Sequence, residues 1–145
     1  MKKLIFTLVC LFSIQSVVLA DNDKPISVNQ LPKTAQVIIK NYFSGQKISL
    51  AKVESEWLTK SYDVIFTNGD KIEFDKNGHW KQIDCKYSQV PKAIIPLGIS
   101  KYVSANYPND KIVKIDKDSN DYEVKLSSGW EIKFNKKFQV INVDR

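Results

Sequence analysis

An internal repeat constrains this chain more than any other feature. Tyr62–Asp84 can be set beside Tyr122–Asp144, an offset of 60, without a gap. Tyr62, Val64, Gly69, Ile72, Phe74, Lys76 and Asp84 then face identical residues at Tyr122, Val124, Gly129, Ile132, Phe134, Lys136 and Asp144. Conservative matches add Asp63 with Glu123, Phe66 with Leu126, Thr67 with Ser127, Asp75 with Asn135 and Ile83 with Val143. Upstream the match is looser: Leu31-Pro32 resembles Val90-Pro91, and Lys47-Ile48 resembles Lys111-Ile112. The reading is duplication of a unit of about 60 residues, so each half must suit the same local plan.

That plan is a helix followed by strands. Leu31, Ala35, Ile38, Ile39 and Tyr42 recur at helical spacing, and Pro32 suits a first helical position because its missing N–H is not needed there. Ser44-Gly45 ends the run. An early strand is expected from Lys47 to Trp57. Tyr62, Val64 and Phe66 then share one strand face, Ile72 and Phe74 the next, and Asn68-Gly69 joins the two as a hairpin. Asp75-Lys76-Asn77-Gly78 turns the chain into a strand from Trp80 to Cys85. In the second unit a helix is expected between Lys92 and Ala105, with Pro96 breaking it or starting it. Strands follow near Lys111–Asp116, Tyr122–Ser127, Trp130–Phe134 and Phe138–Val143.

These patterns predict an α+β fold of two tandem repeats, each one helix packed on an antiparallel sheet of about four strands. No linker rich in Pro, Gly or Ser separates the halves, so they should pack as one domain, with boundaries at 21–86 and 87–145. One sheet face packs on helix and the other meets solvent. Parity assigns Asp63, Ile65, Lys71, Glu73, Trp80 and Gln82 to the open face of the first unit. In the second it assigns Glu123, Lys125, Glu131, Lys133, Val140 and Asn142. Ile65, Glu73, Trp80, Lys125 and Lys133 are the candidate partner-binding residues, with Trp80 the aromatic anchor unless the other repeat or the N-terminal segment covers it. Trp130 shares the parity of Ile132 and Phe134 and is expected in the core.

Residues 1–20 read as an address. Lys2 and Lys3 precede an uncharged, largely apolar run, and Val18-Leu19-Ala20 offers a cleavage site before Asp21. The expectation is export, with no membrane span after cleavage. Loss of two lysines lowers the net charge from +6 to +4, and Lys and Asp/Glu are interleaved, which is no nucleic-acid footprint. Cys10 leaves as well, so Cys85 becomes the only thiol and no intramolecular disulfide can form.

Little in the chain promises a reaction. One histidine and two cysteines exclude multi-His metal sites and zinc ribbons. There is no Gly-x-Ser-x-Gly, His-Glu-x-x-His or phosphate-binding glycine loop. Asp63 and Glu73 could face the same side of adjacent strands, but Lys71 beside them suggests a salt-bridged surface. Asp116-Lys117-Asp118-Ser119-Asn120-Asp121 begins like a calcium loop. It lacks the glycine at position six and the glutamate at twelve, where Asp121 and Ser127 stand. Acids and Asn are expected in such turns anyway. No cofactor and no catalytic residue is implied.

The runs Leu31-Pro32, Tyr42-Phe43, Tyr62-Asp63-Val64, Asn68-Gly69 and Ile72 to Trp80, with their counterparts Val90-Pro91, Tyr102, Tyr122-Glu123-Val124, Ser128-Gly129 and Phe134, carry a resemblance. Together they resemble the PepSY-like, beta-lactamase-inhibitor-like proteins, small exported proteins of the Bacteroidetes. The resemblance covers nearly all of the chain after residue 20 and is a signature of turns and core positions. It implies tandem helix-and-sheet units, a periplasmic location, and binding of an exported or envelope protein through the open sheet face. Some members are labelled calcium-regulated, so a calcium or small-ligand sensor is the alternative. Phe138, where the first unit has Gly78, departs from the pattern and requires a different turn.

Overall fold

The computed structural model describes residues 22–145. The predicted signal segment and Cys10 lie outside the described residues. Among the described residues, nine strands form one antiparallel sheet in sequence order. They are β1 (Asp23–Ile26), β2 (Ile48–Glu56), β3 (Thr59–Phe66), β4 (Lys71–Asp75), β5 (Trp80–Asp84), β6 (Ile112–Lys117), β7 (Asp121–Leu126), β8 (Glu131–Asn135) and β9 (Val140–Asp144). Two helices, α1 (Lys33–Tyr42) and α2 (Leu97–Asn106), lie between β1 and β2 and between β5 and β6. The α+β expectation holds, but the sheet is continuous. β5 hydrogen-bonds to β6 through Gln82↔Asp116, Ile83↔Ile115 and Asp84↔Lys114, so four strands do not close off as a separate sheet. β1, which the sequence pattern missed, adds an edge through Ile26↔Ala51 and Pro25↔Lys52. Proline is tolerated there because edge strands leave some N–H groups unused.

Each helix begins after a proline whose carbonyl accepts the first helical bond, Gln36 N–H to Pro32 and Ser100 N–H to Pro96. Pro96 therefore starts α2, and Lys92–Ile94 before it forms a single 3₁₀ turn. Leu31, Ala35, Ile39 and Phe43 are buried at intervals of four, as are Ile95, Ile99 and Val103, giving each helix one apolar stripe. Those stripes meet an apolar row that crosses the sheet: Ile26, Ala51, Val64, Ile72, Ile83, Ile115, Val124, Ile132 and Val143 are successive cross-strand partners. Phe43 stacks on Phe66 with ring centroids 5.3 Å apart, and Tyr102 meets Phe134 edge-on at 5.5 Å. Both helices thus cover one face and leave the other open.

The turns recur at the offset of the sequence repeat. Gly69 N–H donates to Phe66 and Gly129 N–H to Leu126; Gly78 N–H donates to Asp75 and Phe138 N–H to Asn135. Asp75 Oδ1 accepts from the N–H groups of Asn77 and His79, and Asn135 Oδ1 accepts from those of Lys137 and Gln139.

Two parity assignments fail for one reason. The β4–β5 register shifts between Glu73 and Phe74, so that Glu73 faces Gln82 and Phe74 faces Trp80, with Lys81 the extra residue. The bulge turns Trp80 to the helix-covered face, where it is 7% exposed. The same shift between Lys133 and Phe134 makes Ile141 the extra residue and puts Val140 opposite Phe134. Trp130 is half-buried against the core, between Tyr107 and Arg145.

Candidate partner-binding face

Side chains alternate across a strand, so each residue flanking the apolar row points the other way. One open-face row runs Pro25, Lys52, Asp63, Glu73, Gln82, Asp116, Glu123, Lys133, Asn142 across all nine strands. The next runs Leu50, Ile65, Lys71, Asp84, Lys114, Lys125, Glu131, Asp144. Ile65, Glu73, Lys125 and Lys133 therefore do share one face, on two adjacent rows. Trp80 does not join them: the bulge removes it, and the ammonium of Lys117 lies 4.3 Å over its ring on the opposite side.

The first-half end of the face is charged and locked. Asp63 is only 5% exposed, held by Lys71 at 3.1 Å and Lys52 at 3.7 Å. Lys52 also donates to Asp23 at 2.5 Å, and that hydrogen bond holds its pKa above the ordinary lysine value against the effect of burial. Asp63 and Glu73 are direct cross-strand partners, but only Asp63 is locked; Glu73 pairs loosely with Lys81 at 3.9 Å and borders the open part of the face. Asp63 is thus a buried ion-pair member of the sheet and not a group presented to a substrate.

The second-half end is open. Glu73, Lys81, Gln82, Asp116, Glu123 and Lys133 line a depression of about 350 Å³. Beside it a second, of about 470 Å³, is lined by Asp84, Lys114, Lys125, Leu126 and Glu131 among others and shares Asp116 and Glu123. Gln82 Nε2 donates to Asp116 Oδ1 at 2.7 Å across the β5–β6 joint, fixing the floor between them. Pairing here is loose, with Lys114–Asp116 at 3.9 Å and Lys125–Glu131 at 3.7 Å. Such a surface can trade its weak internal pairs for pairs with a partner at little loss.

Asp118 and Asp121 join the rim of the first depression, yet among the described residues no group of three or more His, Cys, Asp or Glu is placed to hold a metal ion. Asp70, 1% exposed, is a structural acid that accepts from Ser88 Oγ, Asn68 Nδ2 and Gln46 Nε2. Cys85 is fully buried beneath it; burial first, and the Asp70 charge second, push its thiol up to about 12.

The sequence reading passed over Trp57 and Leu58, counting Trp57 into a strand. They form the two-residue tip of the β2–β3 hairpin, where Glu56 faces Thr59, and are 96% and 82% exposed. No turn signal marks the site, since it holds no Gly, Asn, Asp or Pro.

Residues 60–142 match the model of a family described as "Putative beta-lactamase-inhibitor-like, PepSY-like". Three of the solved structures similar to this chain illustrate the match. One, described as a "putative calcium-regulated periplasmic protein" of Bacteroides thetaiotaomicron, is 57% identical, covers 85% of this chain and 97% of its own, and gives a TM-score of 0.84. A second, a "putative periplasmic protein" of Bacteroides vulgatus, is 60% identical over 87% of this chain and 99% of its own, again at 0.84. A third, described as a "putative periplasmic protein of unknown function" from Bacteroides vulgatus, is 38% identical over 85% and 99%, at 0.80. No curated protein matches the chain. No helix among the described residues is long and apolar enough to cross a membrane.

Proposed function

The chain belongs to the PepSY-like, beta-lactamase-inhibitor-like family, and on that premise we propose that it is a non-enzymatic periplasmic module that binds, and in binding restrains, an exported or envelope protein through its open sheet face. In this reading residues 21–86 and 87–145 are duplicated units whose sheets have fused, and fusion is what makes the face broad enough to dock a protein. The observation that carries the reading is the continuous, loosely paired polar surface around Asp116 and Glu123, with Glu73, Lys125 and Lys133 at its borders; Ile65, between Leu50 and Lys71 on the same face, adds an apolar contact toward the first-half edge. Opposite charges on neighbouring strands give such a face register and partner choice more than raw affinity. The description of the similar structures as periplasmic supports the location.

The test uses tagged residues 21–145 as bait in periplasmic extract, in calcium and in EGTA. One exported protein retained in both conditions, and lost with Ile65→Asp at unchanged Tm, is the expected result. No retention in either condition contradicts it. Retention in calcium alone supports the second reading, a calcium-responsive sensor. The description of a 57% identical protein as calcium-regulated favours that reading, with the turn acids Asp116 and Asp118 as the residues to test. In that case Asp116→Asn with Asp118→Asn removes a calcium-dependent rise in Tm.

A further inference from the structure

The geometry points to the β2–β3 tip as the anchor of the partner complex: Trp57 and Leu58 insert into an apolar cleft of an exported protein whose rim carries basic groups for Glu54 and Glu56. This rests on the partner-binding reading above and gives it a site outside the sheet face. Three observations carry it.

The first is conformational. Trp57 is the first central residue of a two-residue hairpin and sits at φ +38°. Glycine is the usual occupant there, because a Cβ at positive φ crowds the backbone. Elsewhere the chain follows that rule, with Gly69, Gly78 and Gly129 at positive φ in their turns. The other exception, Phe138 at φ +63°, packs its ring against Tyr122 at 5.6 Å. At 96% exposure, Trp57 makes almost no contact that could offset the strain. Strained backbone that serves no packing is characteristic of recognition sites.

The second is shape. The matching turn of the second half, between β6 and β7, carries Asp118, Ser119 and Asn120. The first-half hairpin is longer, with β2 of 9 residues and β3 of 8 against 6 and 6 for β6 and β7. A large indole and an isobutyl group on a projecting tip are complementary to a pocket, and tryptophan is among the residues most enriched at binding hot spots.

The third is charge. Glu54 and Glu56 follow Lys52 on the open face of β2, so the tip continues the proposed docking surface. Among the described residues the basic neighbours are already engaged: Lys52 is held by Asp23 and Asp63, and Lys60 lies over the Tyr62 ring at 5.8 Å. The flank is therefore acidic. That disfavours an anionic lipid surface and calls for Lys or Arg around the receiving cleft.

The experiment places a photoreactive benzoylphenylalanine at position 57 or, separately, at 133, in chain 21–145 exported to the periplasm. The expected result is an adduct from 57 with one exported protein, identified by mass spectrometry and then purified. Trp57→Gly weakens that complex by about 30-fold or more, at a Tm that is unchanged or higher. An adduct from 133 without one from 57 overturns the tip and leaves the open-face reading standing; no adduct from either overturns both. A tip whose removal lowers Tm by several degrees is structural, and the inference falls. It falls as well if Trp57→Gly abolishes binding to phosphatidylethanolamine–phosphatidylglycerol vesicles, or dissolves a dimer seen by sedimentation, because lipid or a second copy is then the occupant.

Discussion

Gly98 of α2 lies so close to Phe138 that a methyl group on Gly98 would sit 2.8 Å from the Phe138 Cβ and 2.9 Å from Cγ. The first half meets the same demand in reverse. Gly78, the counterpart of Phe138, lets Pro32, Thr34 and the Ala35 N–H approach within 2.8–3.2 Å of where its own Cβ would be. The turn and the helix start must touch in both halves, and the bulk sits on the helix in one and on the turn in the other. Gly98→Ala should therefore cost about 1–3 kcal/mol by overpacking. In a Phe138→Gly background the same change should be neutral or stabilising by up to about 1 kcal/mol, because alanine is the better helix former. A double-mutant cycle in urea measures the coupling.

The turn glycines should separate by neighbourhood. Gly78→Ala meets both positive φ, +87°, and backbone at 2.8 Å. Gly129→Ala meets φ +100° with nothing within 4 Å. The first should lose on the order of 3 kcal/mol and the second about 1–2 kcal/mol. Equal losses would mean that helix contact at Gly78 is unimportant.

Asp75 and Asn135 perform one task with different chemistry, each using Oδ1 to accept two turn N–H groups. Burial raises the Asp75 pKa, but the N–H groups of His79 and Asn77 outweigh it and hold the carboxyl below 3.8. A folded pKa below the unfolded one stabilises above pH 3.8 and is lost as pH falls through the folded value. Asp75→Asn should be near neutral at pH 7 and flatten the acid limb of the stability profile, whereas Asp75→Ala should cost about 1 kcal/mol at pH 7.

Cys85 should be inert in the folded protein. Its pKa is raised by burial from 9.0 to about 12, so the unfolded chain ionises first. The contribution is complete below pH 9 and is lost as pH rises from about 9 toward about 12. Thiol reagents at pH 8 should modify Cys85 only at the rate of unfolding, and Cys85→Ala should remove this part of the alkaline decline. Rapid labelling under native conditions would contradict the burial.

The two patterned levels of the fold were legible in the residues. Helical and alternating periodicities locate α1, α2 and the eight strands from β2 to β9 closely, since each buries a regular stripe. What failed was irregular. Period-2 parity carries no warning of an extra residue, so the bulges at Lys81 and Ile141 sent Trp80 and Val140 to the wrong face. β1 is short, contains Pro25 and owes its existence to β2 rather than to its own pattern. Four of the five expected binding residues share the open face because parity survives up to each bulge. The Trp57 tip was missed because a turn made of tryptophan and leucine reads as strand.

Lysine footprinting of the purified partner complex tests the central claim most directly. Lys125 and Lys133 lie on the open sheet face, while Lys40 and Lys101 belong to exposed positions of α1 and α2. Acetylation of Lys125 and Lys133 should slow at least several-fold on complex formation, with Lys40 and Lys101 unchanged. Protection of Lys40 and Lys101, with Lys125 and Lys133 still freely labelled, would place the partner on the helices and contradict the account.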